Sequence, residues 1–378
     1  MDKNKIAIVT VGYNRIASMK RLLYSLSKAK YPIDNIPLYI SIDASGDTEL
    51  YNFVRSYDWL HGEKIVNIQN ERLGLKNHIL QCGDLTKRYK AIILLEDDIY
   101  VSEYFYDYVY AAVNFYYEDD RIGGISLYRN EMRGSIPKYT ILDGKDTFLF
   151  QSVASWGECW TDRQWAKFRK WYEQFDEDFS KYDMQLTVKQ WTRAWSKYYM
   201  AYQLDTNRYF VFPQISLTTC FGDAGEHGGK NTIGQVNLLA GKKEYHFPSF
   251  EEMTKYDIYA NNIKLYEWIG LSEDELCLDL NGNNPNYKNK RYILSTYHYP
   301  YKVIKSFELS LFPIELNVKD NIEGEGIYLY DTQHTCTNKQ KNPSLIIANY
   351  YLKGFNIRLL RRYVIHQFFT RLKAKLHL

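Results

Sequence analysis

The first 130 residues predict an α/β fold with a mainly parallel sheet. Short apolar runs alternate there with segments whose apolar residues recur every three or four positions, the spacing of one helix face. Strands that alternate with helices of about 10 to 15 residues pair in parallel through right-handed crossovers. We therefore expect a Rossmann-like sandwich, with helices on both faces of the sheet.

The predicted elements follow one another in regular order. The first helix, for example, is indicated by the spacing of Ile16, Met19, Leu22 and Leu26. Strands are predicted at residues 6–11, 38–43, 65–68, 91–95 and 122–128. Helices are predicted between them, beginning near Ile16, Leu50, Leu75 and Glu103.

The chain changes character further on. A Gly-centred loop that enters a helix is indicated by SWGECWTDRQWAKFRKW, and HGG at 227–229 closes a Gly-rich loop. After Pro248, a small sheet is indicated by the runs LCLDL, RYILSTY, SFELSLF and GIYLYDT. We therefore divide the 378 residues into a first domain at 1–247, a smaller α+β extension at 248–354 and a terminal segment at 355–378.

The terminal segment predicts a basic amphipathic helix. Apolar residues recur there every four positions, at Leu360, Val364, Phe368, Leu372 and Leu376, among six Arg and Lys residues. Such a helix lies in the interface of an anionic membrane. The alternative is a terminal helix that docks on its own protein or on a partner.

Composition excludes several classes of protein. The formal net charge is only +3, so nucleic acid is not expected as a partner. The five cysteines are scattered and never spaced as CxxC, which argues against a disulfide framework and a zinc site. The N-terminus lacks the apolar core of a signal peptide. We expect a cytoplasmic protein, peripheral at the inner face of the plasma membrane if the terminal helix binds lipid.

Polar residues follow four successive predicted strands. They are GYNR at 12–15, DASGD at 43–47, NERLGLKN at 70–77 and EDD at 96–98. Ligands of α/β sheets bind beyond the carboxyl ends of the strands, so these groups are expected at one rim. Three adjacent carboxylates repel one another unless a cation neutralises them, and Mn²⁺ or Mg²⁺ shared with a nucleoside diphosphate would do so. The alternative is that EDD caps a helix that begins near Ser102.

Three segments, in this order, carry a resemblance to a known family: VTVGYNRIASMKRLLYSL, RLGLKN and IILLEDDIYVSEYFYDYV. They resemble the nucleotide-sugar half of GT-A glycosyltransferases, especially bacterial family-2 enzymes and the mannosyl-glycoprotein N-acetylglucosaminyltransferases, whose metal motif reads EDD. The blocks SWGECWTDRQWAKF and ISLTTCFGDAGEHG are also similar to blocks of the bacterial enzymes. The likeness covers residues 5–230 and implies a nucleotide-sugar half at 1–130 and an acceptor half at 131–247.

The resemblance implies roles for individual residues. Asp98 would be the metal ligand, helped by His227, and Asp43 would hydrogen-bond the base or ribose. The remaining implied contacts with the nucleotide, diphosphate or donor sugar are Tyr13, Asn14, Arg15, Arg72, Lys76, Glu96 and Asp97.

Catalysis by inversion also requires a carboxylate that takes a proton from the acceptor hydroxyl. The related pattern places an acid near Trp195, but this sequence has none there. Asp183 is the first substitute and Glu158 the second. Trp156 and Trp160 are candidate platforms for a sugar ring.

The sequence therefore predicts a metal-dependent hexosyl- or N-acetylhexosaminyltransferase. The donor would be a nucleotide-diphosphate sugar, UDP-sugars first, and the acceptor a saccharide or lipid-linked oligosaccharide in the synthesis of a bacterial capsule or O-antigen. A sugar-binding module that lost its base and a nucleotidyltransferase are the alternatives. The second alternative usually carries a Gly-rich basic loop, which GYNR is not. A glycoside hydrolase would need two carboxyl groups from separate elements, whereas EDD is contiguous.

Overall fold

A computed structural model describes residues 2–133, 136–137, 140–192, 194–225, 234–337, 343–354 and 356–375. Its centre is a nine-stranded mixed sheet. In chain order these strands are β1 (Asp2–Gly12), β2 (Leu38–Ile42), β3 (Lys64–Ile68), β4 (Tyr89–Glu96), β6 (Ile122–Ser126), β9 (Thr147–Phe150), β10 (Glu158–Thr161), β11 (Tyr209–Pro213) and β13 (Lys255–Tyr256). The four strands of two small sheets are β5 (Ile99–Val101), β7 (Met132–Arg133), β8 (Ile136–Pro137) and β12 (Thr218–Cys220).

The helices of this part of the chain connect the strands. They are α1 (Ile16–Lys28), α2 (Thr48–Ser56), α3 (Gly74–Gly83), α4 (Phe105–Tyr116), α5 (Asp162–Gln174), α6 (Leu186–Lys189) and α7 (Trp195–Asp205). A short 3-10 helix at Asp84–Lys87 follows α3 directly.

The sheet runs in the order β13-β9-β11-β6-β10-β4-β1-β2-β3. Strands β1, β2, β3 and β4 pair in parallel, as do β6 and β11, so the predicted α/β fold with a mainly parallel sheet is confirmed. The chain leaves β1 toward β2 on one side, and β4 returns to pair with β1 on the other. This reversal is a topological switch point, where α/β sheets bind ligands.

One prediction within this sheet was wrong. The residues around GECW were expected to form a loop, but Glu158–Thr161 form β10, which pairs antiparallel with β4 and with β6. All four of its residues are buried. A four-residue strand between two distant strands leaves no alternating pattern of apolar and polar residues to read in the sequence.

Two apolar layers cover the sheet. Alternate residues of β1 point to opposite sides, so Ile6 and Ile8 join one layer while Ala7 and Val9 join the other. Helices α1 and α4 contribute to the first layer, and α3, α5 and α7 to the second. The switch point is therefore held by a core that is packed from both faces.

The C-terminal part forms a second, four-stranded sheet in the order β14-β15-β17-β16. Its elements are α8 (Leu265–Ile269), β14 (Leu276–Asp279), a 3-10 helix at Pro285–Asn289, β15 (Tyr292–Ser295), β16 (Tyr301–Glu308), α9 (Glu315–Lys319) and β17 (Gly326–Thr335). The Tyr256 hydroxyl donates to Glu315 Oε1 at 2.7 Å and links the two parts. Because β13 pairs with β9, the first sheet extends past the predicted boundary at residue 247.

Two helices end the chain, α10 (Pro343–Leu352) and α11 (Ile357–Lys375). Helix α10 packs on the second sheet through Tyr350, whereas Ile357, Val364 and Phe368 of α11 are largely exposed. Leu372 lies three turns after Arg361 in α11, so the two side chains fall on the same stripe of the helix. Charged and apolar residues are therefore less well separated than the predicted four-residue repeat of apolar positions implies. None of the helices in the described ranges combines the length and apolar character needed to cross a membrane.

Candidate functional site

A cavity of about 630 Å³ opens at the carboxyl ends of β1 to β4, at the switch point. The residues that follow all four strands reach it, as the sequence predicts. Of the residues given a site role by the sequence, the lining includes Tyr13, Asn14, Arg15, Asp43, Arg72, Glu96, Asp97 and Asp98.

The three acids lie where the chain leaves the main sheet. Glu96 ends β4, Asp97 and Asp98 form a tight turn, and β5 then pairs antiparallel with β12. The Phe221 N–H donates to the Asp98 carbonyl at 3.0 Å and fixes this turn. Helix α4 begins only at Phe105 and has no side-chain cap, so the alternative in which EDD caps that helix is wrong.

Arg15 lies in the middle of the acids. Its guanidinium donates to both oxygens of Asp97, with Nε 3.3 Å from Oδ2, and its Nη1 lies 3.2 Å from Asp98 Oδ2. Nη1 also donates to the Asp223 carbonyl at 3.0 Å. The other oxygen of Asp98, Oδ1, is buried and has no hydrogen-bond partner in the described part of the chain.

Burial and charge shift the acidity of these groups strongly. Burial, followed by repulsion from Asp98 and Asp97, raises the pKa of Glu96 to about 8. Burial also raises the pKa of Asp97 to about 6, although Arg15 opposes the change. Burial works against the charge of Arg15, but Asp97, Asp98 and Glu96 together raise the pKa of the guanidinium. The site therefore holds more negative charge than Arg15 neutralises.

Asp43 organises the neighbouring loop. Its Oδ1 accepts from the backbone N–H of Ala44 at 2.9 Å and of Leu73 at 2.8 Å, and its Oδ2 accepts from Gly74 at 3.0 Å. Gly74 has a φ of +72°, which favours glycine, and it begins α3. Asp43 thus joins the end of β2 to the loop after β3.

Arg72 lies over the Tyr13 ring at the cavity, whereas Lys76 does not reach the cavity. The Arg72 guanidinium carbon lies 4.8 Å from the centre of the Tyr13 ring. Lys76 is not among the cavity-lining residues. Its Nζ donates instead to the Tyr198 hydroxyl at 3.3 Å and lies 3.9 Å from Glu177.

Two titratable side chains that line the cavity, Asp223 and His78, were given no site role from the sequence. Asp223 accepts hydrogen bonds from Ser18 Oγ at 2.6 Å and from Arg21; although burial opposes it, these contacts lower the pKa of Asp223. His78 lies 2.7 Å from Ser41 Oγ, and burial lowers its pKa to about 4. Asp223 falls within FGDAG, a Gly-rich loop whose position could have drawn attention to it. His78 has no such signal, since a lone His in a helix is usually structural.

The opposite wall of the cavity comes from the segment between α6 and α7 and from the first turn of α7. It presents Gln190, Trp191, Thr192, Trp195 and Ser196. Trp191 is 41% exposed at the rim, whereas Trp195 is buried. Just beyond it, Lys197 is itself buried and donates to the carbonyls of Lys189 at 2.7 Å and Trp191 at 2.9 Å. The segment that carries Trp191 is therefore anchored by a buried charge.

Neither predicted base lines the cavity. Asp183 is exposed, and its Oδ1 accepts from the Tyr259 hydroxyl. Glu158 is fully buried in β10; burial, followed by the charge of Glu96, raises its pKa well above the ordinary value. Trp156 lines the cavity, but Trp160 is buried against Trp165 and cannot present its ring to a sugar. The role of base stays a prediction for Asp183 and Glu158, without support from their positions.

The donor set fits a divalent cation that is shared with a diphosphate. His227 lies outside the described residues, and within them no group of three His, Cys, Asp or Glu side chains is arranged to hold a metal ion. Mg²⁺ and Mn²⁺ in phosphate sites need only one or two protein carboxylates, however. Asp98 offers a buried oxygen without a hydrogen bond, and its carboxylate would be the protein ligand of such an ion.

The comparisons with known proteins give only distant structural similarity. No protein-family model and no curated protein matches it. The structure of S. aureus TarS 1-349 is similar at 12% sequence identity and a TM-score of 0.39, over 57% of this chain and 59% of that one. TarS 1-349 in complex with UDP-GlcNAc gives 14% identity and a TM-score of 0.38, over 59% and 60%. This chain spans less than two thirds of those structures, and so low a likeness adds nothing to the argument from geometry.

Proposed function

We propose that this chain is a metal-dependent glycosyltransferase that moves a sugar from a nucleotide-diphosphate sugar to an acceptor hydroxyl. The observation that supports it most is the convergence of Tyr13, Arg15, Asp43, Arg72 and the EDD turn on one cavity at the switch point. A volume of about 630 Å³ lies within the range of ordinary small-molecule sites.

Each part of the cavity has a task in this reaction. Tyr13 and Arg72 form an aromatic and cationic surface for the nucleotide, and Asp43 holds the loop that carries Arg72. Asp98 would hold Mn²⁺ or Mg²⁺, with Asp97 beside it. When bound, such an ion offsets the negative charge that develops on the leaving diphosphate.

The acceptor would enter from the wall that carries Trp191. Its exposed ring offers an apolar face on which a sugar stacks, and Ser196 and Thr192 offer hydroxyl groups beside it. A saccharide or a lipid-linked oligosaccharide of a bacterial capsule or O-antigen fits such an entrance. Helix α11, with Arg358, Arg361 and Arg362 exposed, would hold the enzyme near an anionic membrane that carries the acceptor.

The direct test is turnover of a donor panel. The purified full chain is incubated with UDP-, GDP- and CMP-sugars, UDP-GlcNAc among them because TarS was solved with it, in the presence of Mn²⁺. Slow release of a nucleoside diphosphate is expected from at least one donor and is expected to stop in EDTA. If no donor binds and none is hydrolysed, the proposal fails.

A catalytically inactive nucleotide-sugar-binding module is the second candidate. One observation favours it: the described residues of the wall formed by Gln190 to Ser196 contribute no carboxylate opposite the EDD turn. In that case a donor raises the melting temperature, but neither hydrolysis nor transfer occurs with any acceptor.

A further inference from the structure

Arg15 is built into the acidic turn rather than placed near it by chance. Its carbonyl accepts from the Met19 N–H at 3.0 Å and so begins α1, which fixes the backbone from which the side chain extends. Only 21% of the Arg15 side chain is exposed.

The guanidinium donates hydrogen bonds to three carboxylate oxygens at the turn. Both oxygens of Asp97 and one oxygen of Asp98 accept its hydrogen bonds. The side chains of Asp97 and Asp98 are 4% and 12% exposed, so water screens this charge poorly. Asp98 Oδ1 is buried and has no hydrogen-bond partner among the described residues.

We propose that Arg15 is the resident counter-cation of the EDD turn and competes with the divalent ion for Asp98. This inference rests on the proposed function, because it concerns the metal of that same site. In the free protein, a metal ion must approach Asp98 against the positive charge of Arg15. The ion therefore binds weakly to the protein alone.

A nucleoside diphosphate changes this balance. Its phosphate oxygens give Arg15 a new anionic partner, and they supply the metal ligands that the protein lacks. Arg15 then leaves Asp98 Oδ2 available. Metal binding is thereby coupled to the arrival of the donor, and the strength of this coupling depends on Arg15.

The test measures Mn²⁺ affinity without activity, by electron paramagnetic resonance of free Mn²⁺ in titrations of the full chain. Without nucleotide, Arg15→Gln is expected to bind Mn²⁺ about tenfold more tightly than the wild type, because a cation close to the ion is removed. Arg15→Lys keeps the charge but lacks the planar fork that joins Asp97 to Asp98, so it should gain about threefold. Lys20→Gln removes a charge from the same helix without touching the acids and should change nothing.

The outcomes separate this inference from the proposed function. If Arg15→Gln and Arg15→Lys both bind Mn²⁺ no more tightly than the wild type, competition is overturned, even if the wild type binds Mn²⁺ together with UDP. It is overturned as well if the wild type binds UDP equally well in Mn²⁺ and in EDTA, since Arg15 would then replace the ion. If no protein binds Mn²⁺ with or without UDP, the metal-dependent function falls too. Should Arg15→Gln prove unfolded by circular dichroism, Arg15→Lys alone decides.

Discussion

Two acidic side chains, one of them at the cavity, lie in environments that disfavour their charged form. Glu96 and Glu158 lie on the same face of the neighbouring strands β4 and β10, and both carboxyl groups are pushed toward the neutral form. Glu158 has no hydrogen-bond partner among the described residues. Carboxyl groups with such raised pKa values destabilise the folded protein near neutral pH, and they are common where a site binds charged ligands.

Glu96→Gln should change how stability depends on pH. A carboxyl group whose pKa is raised to about 8 in the folded protein holds its proton more tightly there than in the unfolded chain. Its stabilising contribution is complete below about pH 4.5 and is lost as the pH rises through 8. In EDTA, the unfolding free energy of the variant minus that of the wild type should therefore rise by about 1 to 3 kcal/mol from pH 5 to pH 8.5. This range is smaller than the full pKa shift implies because solvent in the cavity screens the carboxyl group.

Urea unfolding at the two pH values measures this effect. Glu49→Gln, at an exposed carboxyl group on α2, provides the matched control and should show no such gain. An equal pH dependence in Glu96→Gln and the wild type would mean that the pKa of Glu96 is not raised in the folded protein.

At the scale of elements, the site depends on close packing beneath it. Helix α3 carries Gly74 at the cavity and ends at Gly83, over which the Trp165 ring of α5 lies. The Trp165 Nε1–H donates to Asp84 Oδ1 at 2.8 Å and locks this contact. The contact with Trp165 at the C-terminal end of α3 therefore helps to fix Gly74, which lines the cavity at the other end of this helix.

Gly83→Ala should destabilise the protein, although alanine is the better helix former. A Cβ at Gly83 would lie 1.9 Å from Trp165 Cζ2, so the ring or the helix must move. We expect a loss of about 3 kcal/mol in unfolding free energy, measured by urea denaturation. Gly241→Ala, where nothing lies within 4 Å, is the control and should be nearly neutral; equal stability of the two variants would contradict the packing.

Trp191→Ala should lower the ratio of transfer to donor hydrolysis. Without the exposed ring, a sugar acceptor loses its stacking surface, whereas water does not need one. The ratio is measured with the nucleotide sugar that the wild type hydrolyses in the donor panel, and with a panel of p-nitrophenyl glycosides as acceptors. Trp191→Phe keeps an aromatic face and should retain most of the transfer; an unchanged ratio in Trp191→Ala would exclude this wall as the acceptor side.

The elements near the N-terminus could be predicted because their signals are local. Strands β1 to β4 and helices α1 to α4 follow the predicted runs within a few residues, and parallel strands bring their ends to one rim. Long-range contacts could not be predicted in this way. Strand β10 pairs with residues more than 60 positions away, and Lys197 anchors Trp191 through backbone carbonyls that no side-chain pattern reveals.

At the scale of the whole molecule, the part that carries the cavity and the terminal helix are separable. Helix α11 exposes most of its side chains, whereas Tyr350 of α10 is buried in the second sheet and donates to the Leu311 carbonyl at 2.5 Å. A chain that ends at Gly354 therefore keeps its described core contacts. The proposed attachment to a membrane depends on the part that is lost.

Truncation after Gly354 should abolish binding to anionic vesicles and leave the melting temperature nearly unchanged. The full chain should float with vesicles that contain phosphatidylglycerol at low salt, but not with pure phosphatidylcholine, because the basic helix needs negative lipid. The double substitution Arg361→Gln and Arg362→Gln should weaken the flotation. Equal flotation of the full and truncated chains would reject the anchoring role of α11.

In the proposed function, Asp98 would join a divalent ion to a nucleoside diphosphate in this cavity. Isothermal titration of UDP in Mn²⁺ and in EDTA, with the wild type and Asp98→Asn, tests it most directly. Mn²⁺ is expected to strengthen UDP binding to the wild type, and Asp98→Asn is expected to remove at least about tenfold of that gain. UDP binding that is indifferent to Mn²⁺, or equally strong in Asp98→Asn, would contradict it.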